Sequence, residues 1–436
     1  MRIAIYSINY APEPTSTGKY TGEMASWFAQ RGHHVHVVAP LPHYPQWRIY
    51  NEYKGKGFLG FHRENLDGVE VMRCPLYVPS SGRVTAKTRI AYETTFCLSA
   101  GRYFLPRCLP TGSRPHYDVV IAVCPPVQTA VYPWLLQLTH RVPWVFHIQD
   151  LQVDAAIRLG ILRNRRLASV MSKIESFFLR RATRVSTITE PMRQRIVQRG
   201  VPQERTLLLP NWANLDVVKP TDTNNFFRHQ LGFSSDDMVL MYAGNMGQKQ
   251  GLEGLLSAID RLRNDKRLRF ILVGSGVART QIESSAAKMG LIDQGNLTLL
   301  PVQPIEKLSS MLAVADVHLI IQRQEAADLV MPSKLTNILA AGRPTIATAD
   351  PETALGQLIE NEHIGLACKP NCTEALVAAI QQLAGNTQLR RQMGYNARRY
   401  AEMALSQDLI LSRFESQLQA VNIRHQGRPI ESDESS

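Results

Sequence analysis

Residues 2–40 read RIAIYSINYAPEPTSTGKYTGEMASWFAQRGHHVHVVAP. The apolar runs at 2–8 and 34–40 have the composition of buried β-strands, and the stretch between them, which ends at Gly32, has the spacing of an amphipathic helix. A strand, a helix and a second strand in this order predict a βαβ unit with parallel strands. Residues 15–18 are then expected in the loop that precedes the helix.

The same alternation continues along the chain in two series. The strand candidates are RIAIYSI, HVHVVAP, DVVIAVC, WVFHI and RVSTIT, followed by MVLMYAG, RFILVGSG, NLTLLPV, DVHLIIQ and PTIATAD. Between the two series, residues 207–226 contain prolines and asparagines and little periodicity, which is typical of an interdomain connection. The pattern therefore predicts an α/β protein with two doubly wound, Rossmann-like domains that face a cleft.

These features predict the domain boundaries. We expect an amino-terminal domain at 1–206, a linker at 207–226 and a carboxy-terminal domain at 227–405. Residues 406–421 have helical spacing and are expected to form a last helix that packs back on the amino-terminal domain. Residues 422–436 are polar, without an apolar face, and are expected to be a disordered tail.

The net charge of the chain predicts an anionic partner. Its 436 residues include 49 Lys and Arg against 37 Asp and Glu, which gives +12 at pH 7 with neutral histidines. The otherwise ordinary composition excludes a wholly disordered or fibrous chain. The partner is a phosphorylated small molecule, an anionic lipid surface or nucleic acid. Nucleic acid is disfavoured because the basic segments lack interleaved aromatic residues and no recognised nucleic-acid module is present.

Cysteine spacing and hydropathy address the compartment. The six cysteines are scattered, without a CxxC pair or a cluster that could complete a zinc site. Reduced thiols in a cytosolic protein are the simplest interpretation. The amino terminus lacks a signal-peptide cleavage site, and no window reaches the roughly 18 apolar residues of a spanning helix. We therefore expect a cytoplasmic protein that meets a membrane, if at all, from one side.

Small residues follow several predicted strands. In a doubly wound sheet, ligands collect at the carboxyl ends of the strands, where helix N-termini present free backbone N–H groups. Three loops hold that position, and their candidate residues are Thr17 and Gly18 in the first, Gly244, Asn245, Gly247 and Lys249 in the second, and Gly274 and Gly276 in the third. For each loop, a tight turn is the alternative to phosphate binding.

Two further segments offer polar side chains at strand ends. The strand WVFHI ends near His147, which is expected to face the cleft. Asp150 and Asp154 either orient this histidine or cap the next helix. Farther along, Ser333 is expected to cap a helix that begins at Lys334 and contains Asn337. That placement brings both residues near a ligand, with a capped helix that contacts no ligand as the alternative.

Two basic segments of the first half hold much of the positive charge. Residues 158–205 contain twelve Lys and Arg and three Glu, and residues 83–109 contain five Lys and Arg and one Glu. The first segment contains an apolar stripe with helical spacing, which we interpret as the core-facing side of a helix. Its residues are Leu167, Val170, Met171, Ile174, Phe177 and Phe178. A surface for anionic lipid headgroups is the alternative for both segments.

Taken together, these segments resemble the GT-B glycosyltransferases of family 4, a large retaining group. Within it they resemble the branch of colanic acid and related exopolysaccharide fucosyltransferases. The resemblance covers roughly residues 1–420, and it is carried by SINYAPEPTSTGKYTGEMASWFAQRGHHVHVVAP, LPHYP, FHIQDLQVDAA, LLPNWAN, YAGNMGQKQGLEGLL, FILVGSG, AVADVHLIIQ and PSKLTNILAAGRPTIA.

The resemblance implies a hexosyltransferase that moves a sugar, fucose or another hexose, from a nucleotide diphosphate sugar with retention of configuration. The donor would lie mainly against the second domain, with Gly18 near its diphosphate and His147 near its sugar. A lipid-linked saccharide acceptor would lie against the first domain, at the anionic inner leaflet of the membrane, in exopolysaccharide or cell-surface glycan biosynthesis. No DxD motif lies in a suitable loop, so a reaction without metal or cofactor is expected.

The chain departs from the family at four positions. The paired glutamates of the family align with Leu329 and Asn337, and Glu325 or Asp328 is needed to supply the first carboxylate. The arginine and lysine of the second loop align with Asn245 and Gln250. The nearby replacement cations are Lys249, Lys334 and Arg323. A nucleotide-sugar 2-epimerase of the same fold and a non-catalytic scaffold protein are the alternative functions.

Overall fold

The computed structural model of the chain describes residues 1–14, 16–56, 60–79, 86–109, 117–151, 153, 165–223, 225–247, 250–292, 296–324 and 331–426. It divides into two compact units. Unit 1 is Met1–Pro210 with Ile410–Ser436, and unit 2 is Asn211–Leu409. The chain therefore enters unit 2 once and returns to unit 1 at its end.

Unit 1 is built on an eight-stranded sheet in the order β3-β4-β2-β1-β5-β6-β7-β8. All neighbouring strands are parallel except β3 and β4. The strands are β1 (Arg2–Tyr6), β2 (His34–Pro40), β3 (His62–Leu66), β4 (Val69–Cys74), β5 (Val119–Cys124), β6 (Trp144–Ile148), β7 (Arg184–Thr187) and β8 (Thr206–Leu208). All five strands predicted in the first series are present.

The hairpin of β3 and β4 was not predicted. Its turn contains Asp67 and Gly68, with φ angles of 51° and 81°. Two successive residues in the left-handed region are typical of the tight turn that joins antiparallel strands, and Asp-Gly is a favoured sequence for it. The signal for this hairpin was therefore present in NLDGVE and was missed.

Helices cover the two faces of this sheet. They are α1 (Ser16–Gln30), α2 (Ala86–Cys108), α3 (Val131–His140), α4 (Arg165–Arg181), α5 (Glu190–Gln198) and α14 (Gln407–Gln426). On one face, Tyr6 of β1 packs against Phe96 and Phe104 of α2. The final helix contacts α1, where Phe28 lies 6.4 Å from Phe414 between ring centroids. Helix α14 continues through residues 422–426, and residues 427–436 of the predicted tail lie outside the described residues.

The orientation of α4 differs from the sequence interpretation. Leu167, Val170 and Ile174, interpreted as core-facing, are exposed. The buried side of the helix instead carries Glu175, which forms an ion pair with Arg199. A buried carboxylate needs a cation close by, and Arg199 supplies it. Of the predicted stripe, Phe178 is buried and Met171 and Phe177 are half-buried, so the interpretation is wrong for Leu167, Val170 and Ile174 only.

Unit 2 is built on a parallel six-stranded sheet in the order β11-β10-β9-β12-β13-β14. The strands are β9 (Met238–Ala243), β10 (Leu268–Val273), β11 (Leu297–Leu300), β12 (Val317–Ile320), β13 (Thr345–Thr348) and β14 (Gly365–Cys368). The first five of these were predicted, and β14 was not. Its sequence, GLAC, is too short to show alternation.

Eight helices of the described chain belong to unit 2. They are α6 (Phe226–Gln230), α7 (Leu252–Arg261), α8 (Arg279–Lys288), α9 (Leu308–Ala313), α10 (Lys334–Ala340), α11 (Ala354–Asn361), α12 (Thr373–Gly385) and α13 (Thr387–Ala404). In both units, no helix within the described ranges has the length and apolar character needed to cross a bilayer.

Candidate functional site

Glu13 organises the loops at the carboxyl ends of β1 and β2. Its buried carboxylate accepts hydrogen bonds from the backbone N–H groups of His43 and Tyr44, both at 3.0 Å, and from the side-chain amide of Asn9 at 2.8 Å. These three donors compensate the loss of hydration and link the two loops. Sequence reasoning did not identify Glu13, because its donors come from residues that are distant in sequence.

Thr17 and Gly18 lie beside this carboxylate. The prediction that residues 15–18 precede the helix was wrong for both, because α1 begins at Ser16 and places them in its first turn. Thr15 itself lies outside the described residues. A Cβ atom at position 18 would lie 2.9 Å from Cβ of Glu13. The missing side chain of Gly18 therefore makes room for Glu13.

His43 has a structural role in the same network. Its Nδ1 donates to the carbonyl oxygen of Leu41 at 2.8 Å, and its Nε2 accepts from the hydroxyl group of Tyr92 at 2.9 Å. Burial lowers the pKa of His43. The imidazole is thus held neutral with both nitrogens occupied.

His147 lies at the carboxyl end of β6, opposite Ser186 of β7. The amide nitrogen of Gln149 lies 2.8 Å from Nε2, and the Ser186 hydroxyl oxygen lies 2.9 Å from Nδ1. Since Gln149 donates to Nε2, Nδ1 carries the ring proton and donates to Ser186. Burial lowers the pKa of His147 to about 4, so the ring is neutral at physiological pH. A neutral imidazole in this position can orient a ligand but carries no charge.

Ser186 and Gln149 were missed by the sequence analysis. Ser186 comes beside His147 through the pairing of β6 with β7, which the sequence does not show. Gln149 stands two residues after His147 in FHIQD, so the sequence did offer a signal for it. Asp150, predicted to orient His147 or to cap the next helix, is half-buried in the segment after β6. Asp154 lies outside the described residues.

In unit 2, the loops after β9 and β10 lie directly against each other. The N–H of Met246 donates to the carbonyl of Ser275 at 2.8 Å, and the N–H of Ala278 donates to the carbonyl of Met246 at 2.9 Å. A Cβ atom at Gly274 would overlap the carbonyl oxygen of Gly244, and one at Gly276 would overlap that of Met246. The glycines of the third predicted loop therefore allow close packing against the second loop.

The loop after β9 leads into α7 through Gly247 and Gly251. The N–H of Gly247 donates to Oε1 of Gln250 at 3.0 Å, and Gly251 has a φ angle of 62°. Arg323 packs on Gly251 and lies 3.4 Å from the carboxylate of Glu253. Arg323 is thus near the loop but paired. Lys249 lies outside the described residues, as do Glu325, Asp328 and Leu329.

Lys334 lies in this arrangement, and no described residue bonds to its ammonium group. Its Nζ lies 3.6 Å from the ring centroid of Tyr242, and a Cβ atom at Gly244 would lie 3.5 Å from it. Within the described part of the chain, this buried Nζ has no hydrogen-bond partner. Burial lowers the pKa of Lys334 to about 7. The ammonium group therefore lies at the carboxyl end of β9, beside a glycine that leaves the backbone open, and none of the described residues bonds to it.

The helix that holds Lys334 begins where it was predicted to begin. Helix α10 starts at Lys334, but Ser333 has helical backbone angles and its side chain makes no capping hydrogen bond, so the predicted capping role was wrong. Asn337 is half-buried three residues after Lys334, on the same side of the helix. Sequence reasoning missed Tyr242, whose ring supports the ammonium group.

The chemistry available at these two strand edges is that of hydrogen bonding and anion binding. Unit 1 offers the neutral imidazole of His147 and the carboxylate of Glu13, which already accepts three hydrogen bonds. Unit 2 offers the backbone of the loop after β9 and the buried Nζ of Lys334. Across the ranges that the structure describes, no group of three or more His, Cys, Asp or Glu side chains is placed to hold a metal ion.

Comparisons with known proteins agree with this architecture. Residues 16–212 match the family described as glycosyl transferase 4-like domain, and residues 223–400 match the family described as glycosyl transferases group 1. An Escherichia coli (strain K12) protein named as a colanic acid biosynthesis glycosyl transferase, WcaI, is 36% identical over 422 residues, which are 95% of this chain and 98% of that protein.

Solved structures share the fold at low identity. Sucrose-phosphate synthase from Thermosynechococcus elongatus superposes with a TM-score of 0.74 at 18% identity, over 97% of this chain and 99% of that chain. Anabaena HepE, solved in complex with UDP-glucose, superposes with a TM-score of 0.68 at 14% identity, over 96% of this chain and 100% of that chain.

The packed glycine loops of unit 2 generate a first prediction. Gly274→Ala is expected to lower the free energy of unfolding by roughly 2–4 kcal/mol, because the new methyl group overlaps a backbone carbonyl and the φ angle of 150° disfavours a side chain. Gly254→Ala in α7 is the control, since a methyl group there meets no atom within 4 Å and should raise stability by about 0.5–1 kcal/mol. Urea denaturation measures both, and equal effects would contradict the loop packing.

The low pKa of His147 generates a second prediction. The stability that neutral His147 contributes is complete above pH 6.5 and is lost as the pH falls toward 4, because the unfolded chain then binds a proton that the folded chain excludes. The loss approaches about 3 kcal/mol. His147→Gln should therefore lose less stability than wild type between these pH values, as measured by urea denaturation. His34→Gln, at an exposed position, is the control and should follow wild type.

Proposed function

Because this chain belongs to the glycosyltransferase family with a 4-like amino-terminal domain and a group 1 carboxy-terminal domain, we propose a specific reaction for it. In our proposal it transfers a hexose, such as fucose, from a nucleotide diphosphate sugar to a lipid-linked saccharide acceptor, with retention of configuration. The reaction would serve the biosynthesis of an exopolysaccharide or another cell-surface glycan. The name of the Escherichia coli relative, which is similar over nearly its whole length, supports this setting.

The ammonium group of Lys334, for which the described ranges supply no hydrogen-bond partner, is the observation that carries the proposal. A cation buried without a counter-ion is costly, and it is retained where a ligand supplies the missing charge. The diphosphate of the donor is such a ligand, and the loop at Gly244 leaves space for its oxygens beside Nζ. We therefore assign Lys334 to the diphosphate, with the backbone of Gly244, Asn245 and Gly247 around it. Ser333 and Asn337 are proposed neighbours on the donor side, and Lys249 completes the proposed set from outside the described residues.

The same group provides the proposed source of catalysis. When the glycosidic bond to the donor breaks, negative charge builds up on the departing nucleoside diphosphate. A preorganised cation in a site of low polarity stabilises this charge more strongly than it stabilises the ground state. We propose that Lys334 performs this role and that the reaction requires no metal ion or cofactor.

Unit 1 is proposed to contribute to the donor as well. The neutral imidazole of His147 is suited to a hydrogen bond with a sugar hydroxyl group. Its Nε2 accepts from the side-chain amide of Gln149, and a sugar hydroxyl group that replaces this amide would donate to the same nitrogen. Gly18 and Thr17, in the first turn of α1, are proposed to approach the donor through the backbone N–H groups of that turn. Asp150 is proposed to assist His147.

The proposed acceptor accounts for the charge of the chain. A lipid-linked saccharide is held at an anionic membrane surface, and a basic protein that binds there from the cytoplasmic side reaches it without a spanning segment. Peripheral binding at the inner leaflet is accordingly part of the proposal.

Lys334→Met tests the donor site and constitutes a third prediction. Thermal shift with a panel of nucleoside diphosphates and nucleotide sugars should show a rise in Tm with one base for wild type, and the rise should be lost in Lys334→Met. Without nucleotide, the variant should be at least as stable as wild type, because it removes a buried unpaired charge. Lys288→Met, at an exposed position, is the matched control and should keep the full ligand response.

Nucleotide binding at Lys334 is also expected to depend on pH, and the pKa of this lysine gives the direction. Bound diphosphate raises the pKa of Lys334 above its value of about 7 in the free protein, so binding takes up a proton and weakens as the pH rises through 7. Calorimetry in two buffers with different ionisation enthalpies measures this uptake. Unchanged nucleotide affinity in Lys334→Met would contradict the assignment, and conversion of the donor to its epimer without acceptor would contradict transfer.

A further inference from the structure

Helices α2, α3 and α4 of unit 1 form one continuous layer. The hydroxyl group of Tyr132 on α3 donates to the carbonyl of Cys97 on α2 at 2.8 Å, and its ring stacks on Phe104 at 5.1 Å. On the other side of α3, the ring of Trp134 lies 5.3 Å from Phe177 of α4. The two basic segments of the sequence are therefore joined by α3 into a single surface.

The outer side of this layer is apolar along its middle. Leu138 of α3 is exposed, and Val131, Trp134 and Leu135, which share its side of the helix, are half-buried. None of these side chains carries a charge. On the flanking helices the exposed apolar residues are Ile90, Leu98 and Leu105 of α2 and Leu167, Val170 and Ile174 of α4, each between 44% and 68% exposed. So many exposed aliphatic side chains in one layer mark an interaction surface.

The charges of the same layer have one sign. The exposed cations are Lys87 and Arg102 on α2 and Arg166, Lys173, Arg180 and Arg181 on α4. The carboxylates of the described parts of α2, α3 and α4 are both buried, Glu93 in a salt bridge with Arg89 and Glu175 in one with Arg199. No carboxylate of these described helices therefore offsets the exposed positive charge.

We propose that the outer side of α2, α3 and α4 is the membrane-docking surface of this protein and that it binds a bilayer rich in anionic phospholipid. The aliphatic side chains along α3 and its neighbours enter the boundary between headgroups and acyl chains. The lysines and arginines on both flanks contact the phosphates of the headgroups. This inference rests on the proposed function, because a lipid-linked acceptor requires contact with the membrane.

The residue types select the bilayer as the occupant. Binding of single-stranded nucleic acid relies on exposed aromatic rings that stack on bases, whereas the exposed apolar residues of this surface are aliphatic. Aliphatic side chains flanked by cations have the pattern of an interfacial amphipathic element. Helix α3 contributes the uncharged centre of this element, and neither basic segment alone contains it.

The test is co-sedimentation with vesicles. Wild-type protein should bind vesicles of an equimolar mixture of phosphatidylglycerol and phosphatidylcholine, and bind vesicles of phosphatidylcholine alone much more weakly. Lys173→Glu should weaken binding roughly tenfold or more, because each basic residue strengthens binding about fivefold and the reversal adds repulsion. Leu138→Asp should weaken binding by a comparable factor, since it removes an inserted side chain and adds a negative charge.

Matched variants in unit 2 control for general effects of charge. Lys288→Glu and Met403→Asp alter exposed residues of the same chemical types and should bind vesicles as wild type does. Equal binding of wild type and the α3 and α4 variants would overturn the proposal. Equal binding to neutral and anionic vesicles would do the same, as would the absence of vesicle binding together with tight binding of an oligonucleotide.

Vesicle binding can be separated experimentally from binding of the nucleotide. The thermal response of Lys173→Glu and Leu138→Asp to nucleotide should equal that of wild type, because both residues lie outside the proposed donor site. Loss of vesicle binding with nucleotide response intact supports the docking surface. A missing nucleotide response in wild type would instead count against the proposed donor site and leave the vesicle result to decide the docking surface.

Discussion

Both units depend on parallel strands that are buried on both faces. Such strands admit few polar side chains along their length, so the polar residues that unit 1 and unit 2 retain are gathered where the strands end. In unit 1, His147 stands at the end of β6, and in unit 2, Lys334 of α10 reaches the end of β9. Because carboxyl ends of parallel strands share one edge, residues distant in sequence meet there. The candidate site is a consequence of this constraint more than of any single motif.

The three polar groups at these edges handle burial differently. Glu13 keeps its charge and receives three hydrogen-bond donors, while His147 loses its charge and keeps two hydrogen bonds. Lys334 has neither solution within the described residues, since its Nζ meets only an aromatic ring. A satisfied group is sufficiently explained by the fold, whereas an unsatisfied cation calls for a ligand. This contrast, and not the number of glycines in a loop, directs attention to the edge of unit 2.

The outer layer of unit 1 shows a similar division between satisfied and unsatisfied groups. The carboxylates of the described parts of α2, α3 and α4 are buried in ion pairs, and the exposed charged residues of these described helices are cations. On α4, Glu175 is buried together with Phe178 and Leu179, while Leu167, Val170 and Ile174 are exposed beside the cations. A glycosyltransferase whose acceptor is lipid-linked can use such a surface to remain beside its substrate.

The sequence by itself determined the fold class and ten of the fourteen strands that the described residues form, because buried parallel strands are continuous apolar runs that periodicity detects. It also pointed to His147 and Lys334, whose positions follow from the strand and helix boundaries. The short strands β8 and β14 carry too little pattern to be recognised, and the hairpin signal of β3 and β4 was overlooked. Tertiary structure alone decided that Thr17 and Gly18 belong to a helix beside Glu13. It also decided that Ser186 and Gln149 bond to His147 and that the ring of Tyr242 contacts Lys334. Finally, it decided that Leu167, Val170 and Ile174 are exposed. Ser186 and Tyr242 come from parts of the chain distant from His147 and Lys334, and local sequence does not encode which distant group arrives beside a buried polar side chain.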